Sequence, residues 1–235
     1  MSRHGQYRIK TYGKQKACDD VSFQIQRNRI IGFLGPNGAG KSTTMKSLAG
    51  IIPIENGTCW INDIDIQSDA KSAKKLIGYP HKNNPLYAEM YVQEMLQYHA
   101  SLYQIENKSS AIATVLQKTG LHTEQHKKIK ELSKGYKQRV GLACAIVHNP
   151  KVLILDEPTT GLDPNQIIEI RQLIRELGHD KTVLLSTHLM QEVEAICEEI
   201  IIIHQGQIKT QFQLDDKPKL FPGMSMEDIF VALTK

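Results

Sequence analysis

Apolar positions along the chain change period several times, and the changes outline an α/β protein. Val21, Phe23 and Ile25 alternate with other residues, which predicts a strand with one face in solvent. The alternation gives way to the solid run IIGFL at 30–34, which predicts a strand buried on both faces. A glycine-rich loop at 35–40 follows, then a helix from Lys41 to Ala49 ended by Gly50. Alternation returns at 58–66 and predicts edge strands. Beyond it Val92, Met95, Leu96, His99, Leu102 and Tyr103 recur at spacings of three and four. Helices are therefore predicted within 89–120, and again over 133–147. VLIL at 152–155, VLLS at 183–186 and IIII at 200–203 read as further buried strands, with the last closing the sheet. Helices over about 164–177 and 189–199 separate them.

Strands alternating with helices imply a mostly parallel α/β sheet. The block at about 83–149 carries no strand signal, so it reads as a helical subdomain inserted between core segments 1–82 and 150–235. A length of 235 residues with 40% apolar and 23% charged residues suits one such packed unit and argues against intrinsic disorder. Lysine and arginine number 29 against 25 acidic residues, a net charge of +4. That balance lacks the basic stripe of a nucleic-acid binder, and no nucleic-acid partner is expected. Arg8, Lys10, Lys14 and Lys16, with Tyr7 and Tyr12 among them, read as a solvated strand edge. Cys18, Cys59, Cys144 and Cys197 are far apart and form no C-x-x-C pair, which predicts buried, reduced thiols and no zinc site. The N-terminal stretch has no apolar signal-peptide region, and no apolar run approaches the roughly 18–20 residues of a membrane span. Any membrane role is expected to pass through a partner.

Residues 35–43 read GPNGAGKST and fit G-x-x-x-x-G-K-[ST] with a strand before and a helix after. Gly35, Gly38 and Gly40 allow a tight turn that aims backbone N–H groups at phosphate oxygens. The helix N-terminus adds its positive dipole end at the same place. Pro36, Asn37, Ala39 and Thr43 complete the expected nucleotide loop. Lys41 is expected to bridge the β- and γ-phosphates, and Ser42 to offer its hydroxyl to Mg²⁺. Asp156 ends the strand 152–155, where open α/β sheets bind ligands, and is a second candidate for Mg²⁺. Glu157 follows it as a candidate general base for a water in line with the γ-phosphate.

LSKGYKQR at 132–139 resembles the LSGGQ signature of ABC-type ATPases. Ser133 and Gly135 match; Lys134 and Tyr136 depart from the usual form. The resemblance covers nearly the whole chain. It implies a P-loop NTPase fold with a RecA-like core, a small antiparallel β-subdomain and an inserted helical subdomain. It also implies that Tyr12 stacks on adenine, beside the alternative of a surface strand tyrosine. Gly161-Leu162-Asp163 is similar to the loop that touches the partner subunit, and His188 in STH to the histidine that contacts the γ-phosphate. Ser133 and Gly135 are implied to serve the nucleotide of the opposite subunit of a pair.

Where the family has a glutamine after the segment 77–79, Lys82 stands here, with Asn83 beside it. A lysine offers only donors and cannot ligate Mg²⁺ while charged. NPLYAEMYVQEML, TTGLDPNQ, STHLMQEVEAICEE and SMEDIFVALTK resemble ATP-binding subunits of ABC-2-type exporters, with NNPLY and TTGLDPNQ similar to the gliding-motility branch. ATP with Mg²⁺, a permease on a separate chain, a homodimer or paired ATPase subunit, and a peripheral position on the cytoplasmic face of the membrane are implied. Pro85, Leu86, Tyr87, Met90 and Tyr91 are read as part of the permease dock, or as ordinary packing of a helix start. Two other functions fit the same motifs: a soluble ABC ATPase without a transporter, and a nucleotide-gated module with weak hydrolysis.

Overall fold

The computed structural model describes residues 11–12, 15–16, 21–80 and 86–235. Strands β1 (Thr11–Tyr12) and β2 (Gln15–Lys16) form one short antiparallel ladder. β3 (Ile30–Leu34) leads through the glycine loop into α1 (Lys41–Leu48). β4 (Trp60–Ile61) and β5 (Ile64–Asp65) make a second antiparallel ladder, followed by α2 (Ala70–Lys75) and β6 (Ile77–Gly78). Helices α3 (Val92–Leu102), α4 (Lys108–Lys118) and α5 (Lys134–Ile146) come next. Then come β7 (Val152–Asp156), α6 (Pro164–Gly178), β8 (Thr182–Thr187), α7 (Met190–Ile196) and β9 (Glu199–His204). β10 (Gln207–Gln213), α8 (Lys217–Leu220) and α9 (Met226–Thr234) finish the described chain.

The main sheet has the order β10-β9-β3-β8-β7-β6. Pairs β9–β3, β3–β8, β8–β7 and β7–β6 are parallel, and β10 adds to β9 antiparallel. Both faces are covered, which explains the solid apolar runs. Ile30, Leu34, Leu153, Leu155, Val183, Leu185, Ile200 and Ile202 point to one face, where α5, α6, α7 and α9 pack. Ile31, Phe33, Ile154, Leu184, Ile201 and Ile203 point to the other, against Met45 and Leu48 of α1 and Val21, Phe23, Cys59 and Ile66. Buried positions of α3 and α4 join the first of these cores, so the helical block packs continuously with that face of the sheet.

Two sequence expectations need correction. Ile200–Ile203 does not close the sheet: β10 lies outside it as an antiparallel edge. Its sequence QIKTQFQ buries only Phe212, because an edge strand with one solvated face needs few apolar residues. Residues 21–26 keep the alternating burial that the sequence suggests but form no strand. Cys59, Cys144 and Cys197 are buried, as read from their spacing; Cys18 lies outside the described residues. No described helix is long and apolar enough to cross a membrane.

Candidate active site

The three central strands deliver the chemistry to one edge of the sheet. Leu34 of β3 is in register with Thr187 of β8, and Ser186 of β8 with Asp156 of β7. The glycine loop, the Asp156-Glu157 pair and His188 therefore leave neighbouring strands at the same C-terminal edge.

The loop is tightly built. A Cβ on Gly35 would sit 2.5 Å from the carbonyl oxygen of Ile203, so only glycine fits there. Gly38 and Gly40 have φ of 80° and 105°, the left-handed region that glycine enters without strain. The N–H of Gly206 donates to the Ala39 carbonyl at 3.0 Å, so the β9–β10 turn grips the loop from behind. The Lys41 ammonium is buried and donates to the carbonyls of Gly35 at 2.6 Å and Pro36 at 3.0 Å. Thr44 returns its hydroxyl to the Gly40 carbonyl at 2.9 Å and so strengthens the first turn of α1. Ser42 and Thr43 are half-buried on that turn.

Asp156 is buried at the end of β7. Its Oδ1 accepts from the Ser186 hydroxyl at 2.6 Å, whereas Oδ2 is buried with no hydrogen-bond partner. A bare carboxyl oxygen in the interior is costly unless something meets it. α1 packs against β7, and Asp156 and Ser42 carry oxygen donors of the kind that could hold a hard divalent cation. The half-buried Tyr79 stands near by: burial, and then the charge of Asp156, push its phenol up to about 12.

Glu157 adopts a positive φ of 50°, a conformation that the surrounding structure must enforce. The Ser186 carbonyl and hydroxyl both accept from its backbone N–H at 3.1 Å. Thr160 donates its hydroxyl to Glu157 Oε2 at 3.1 Å. Oε1 faces His188 Nδ1 at 3.6 Å, with the glutamate side chain 10% exposed and the histidine 49%. That separation exceeds a hydrogen bond.

Ser133 caps α5, its hydroxyl accepting from the Tyr136 N–H at 3.3 Å. It is exposed, whereas Gly135 is buried against Gln166: an added Cβ would lie 2.8 Å from that side chain. The Lys134 ammonium rests against Gly161, at 2.0 Å from the position a Cβ would take there. The signature turn thus packs on the 157–166 segment of its own chain. Tyr12 lies on β1, but its side chain is outside the described residues, as are Lys82, Asn83 and Pro85. Sequence reasoning quoted Ser186 in STH but missed its bond to Asp156, and it missed the Ile203–Gly206 clamp, which acts through backbone groups that carry no motif.

A glycine loop gripping a buried lysine, beside a carboxylate at the tip of the next-but-one strand, defines a P-loop ATPase. The sequence model of the family described as "ABC transporter" matches residues 18–160. The chain is 37% identical over 209 residues to the uncharacterized ABC transporter ATP-binding protein YxlF of Bacillus subtilis (strain 168), covering 88% of this chain and 69% of that protein. It is 37% identical over 212 residues to the bacitracin transport ATP-binding protein BcrA of Bacillus licheniformis, covering 89% and 69%. The ABC transporter ATP-binding protein NatA of Bacillus subtilis (strain 168) is 34% identical over 225 residues, covering 94% and 90%. A solved ATP-binding subunit of an ABC transporter superposes with a TM-score of 0.87 at 29% identity over 100% of both chains. The chain belongs to the ABC transporter family, as an ATP-binding and ATP-hydrolysing subunit.

Proposed function

We propose that the chain powers an ABC-2-type exporter, hydrolysing Mg-ATP at the edge where β3, β7 and β8 end. The observation that carries the hydrolytic reading is the pairing of Glu157 with His188 at 3.6 Å beside the bare oxygen of Asp156. Lys41 and backbone N–H groups of the loop, other than at Pro36, bind the β- and γ-phosphates. Ser42 and Asp156 hold Mg²⁺, which neutralises charge on the phosphate oxygens when bound. Glu157 orients the attacking water and takes its proton, and His188 contacts the γ-phosphate. Tyr12 stacks on the adenine.

In this reading two subunits pair head to tail, and the exposed cap residue Ser133 with Gly135 completes the nucleotide site of the opposite subunit. Helices α3 to α5 act as the helical subdomain, and a separate permease chain holds the ATPase at the cytoplasmic face of the membrane. Relatives named for bacitracin transport and linearmycin resistance support the exporter reading.

Size-exclusion chromatography with Mg-ATP tests the pairing. Glu157→Gln is expected to run as a dimer with ATP and as a monomer with ADP. Lys41→Ala, added to it, is expected to abolish the dimer. Dimers of the same abundance with and without ATP would contradict the sandwich.

A further inference from the structure

Glu192, on the first turn of α7, is 1% exposed. A carboxyl group at such a position is costly unless its oxygens are met. Both are. The Thr159 hydroxyl donates to Oε1, and the Thr187 hydroxyl donates to Oε2 at 2.5 Å. Arg171 on α6 brings its guanidinium to 4.0 Å from Oε1. A carboxylate oxygen can only accept, so the single proton of the Thr187 hydroxyl goes to Glu192, while the hydroxyl oxygen accepts from the Leu189 N–H at 3.0 Å.

The two threonines belong to the two turns that present the reacting pair. Thr159 lies two residues beyond Glu157, in a turn closed by Thr160 N–H to the Glu157 carbonyl and Leu162 N–H to the Thr159 carbonyl, each at 3.2 Å. Thr187 is the last residue of β8 and directly precedes His188. Both are buried, so neither hydroxyl has bulk water as an alternative partner. An apolar side chain could pack α7 against the sheet equally well. Only a carboxyl supplies two acceptors at a fixed separation to two donors arriving from different turns.

We propose that Glu192 is a positioning residue for ATP hydrolysis, setting the Glu157–His188 spacing by tying Thr159 to Thr187, a role that rests on the reading of Glu157 and His188 given above. Its hydrogen bonds go to the sequence neighbours of the pair, Thr159 and Thr187. Its effect is transmitted through the turns, so it acts on the chemical step and not on nucleotide binding. A misplacement of about 1 Å is enough to cost on the order of a hundredfold in rate.

Steady-state phosphate release by the full chain with Mg-ATP tests this. Thr159→Val and Thr187→Val each remove one hydroxyl at nearly constant volume. Each is expected to lower kcat about tenfold or more while leaving KM for ATP within about threefold. Thr159→Ser and Thr187→Ser keep the hydroxyl and are expected to recover kcat to within about threefold of wild type. Glu192→Gln is expected to resemble the valine variants, and adding Thr187→Val to it is expected to cost little more, because both break one linkage.

Wild-type kcat in both valine variants, or a loss that serine does not restore, would overturn the proposal. If Glu192→Gln does not fold, the threonine variants decide alone. A crystal structure of Thr187→Val reads the geometry without turnover: the Glu157–His188 separation is expected to depart from 3.6 Å, and an unchanged separation would overturn the proposal. Glu157→Gln and His188→Ala run alongside. Full turnover in those two sinks the reading of the pair itself. Slow turnover in those two, with fast valine variants, sinks only the role of Glu192.

Discussion

Ser186 donates its hydroxyl to Oδ1 of Asp156 at 2.6 Å and leaves Oδ2 buried without a partner. A hydrogen bond of this kind orients the carboxyl so that one oxygen remains for a cation. Asp156→Asn is therefore expected to remove most of the Mg²⁺ dependence of ATP affinity. Ser186→Ala is expected to weaken Mg²⁺ binding by about 10–100-fold with the ligand itself retained. Titration of fluorescent ATP with and without Mg²⁺ checks both. An undiminished Mg²⁺ effect in Asp156→Asn would remove that residue from the site.

Lys41 donates to the Gly35 and Pro36 carbonyls, and in the proposed site it would exchange them for phosphate oxygens. Charge-assisted hydrogen bonds of this type are worth about 1.5–3 kcal/mol. Lys41→Ala is expected to weaken ATP binding by about 10–100-fold, with a smaller loss for AMP, which lacks the β- and γ-phosphates. Calorimetric affinities measure this, and equal losses for the two nucleotides would contradict the phosphate assignment.

His148 predicts how stability depends on pH. Its ring stacks on Tyr103 with centroids 3.6 Å apart, and Nε2 lies 3.0 Å from the Ile77 carbonyl. That contact requires a proton on Nε2, so Nδ1, buried without a partner, carries none in the neutral ring. Burial above all, with the charges of His99 and Lys181, depresses its pKa from 6.5 to about 4. The unfolded chain then binds a proton that the folded chain refuses. Stability is fully present above pH about 6.5 and falls as pH drops toward about 4, by up to roughly 2–3 kcal/mol. His148→Phe, which keeps the stack, is expected to flatten that part of the acid arm in urea melts at stepped pH. An unaltered slope between those pH values would contradict the assignment.

The proposed permease dock divides into two groups of side chains. Leu86 and Met90 pack against the core beneath, so substituting them tests folding. Tyr87 is 54% exposed and meets Tyr98, itself 40% exposed, edge to face at 6.0 Å. Tyr87→Glu with Tyr98→Glu is expected to abolish co-purification with the membrane subunit while the thermal midpoint shifts little. Retained co-purification would move the dock elsewhere.

The strands that carry the site were the most legible part of the chain. IIGFL, VLIL, VLLS and IIII are buried, so their composition alone separates them from loops; Asp156 follows from the end of such a strand, and His188 from the resemblance that STH carries. β10 and β6 escaped detection for opposite reasons. β10 is polar because its outer face meets solvent, and β6 spans only Ile77–Gly78, too short for a period to register. Helices α2, α8 and α9 are similarly short or sit at the end of the chain, where caps such as Ser225 with Asp228 mark them better than periodicity does. Glu192 was hidden for a different reason: a glutamate four residues past a histidine reads as an exposed helix position until the fold buries it between two threonines.

Phosphate release from Mg-ATP by the wild-type protein and by Glu157→Gln, measured side by side, tests the central claim most directly. A general-base contribution is typically 10²–10⁴-fold, so the variant is expected to retain ATP binding and to turn over about 10²–10⁴ times more slowly than wild type. Equal turnover in the two proteins would contradict the assignment of Glu157 and, with it, the hydrolytic site drawn from β3, β7 and β8.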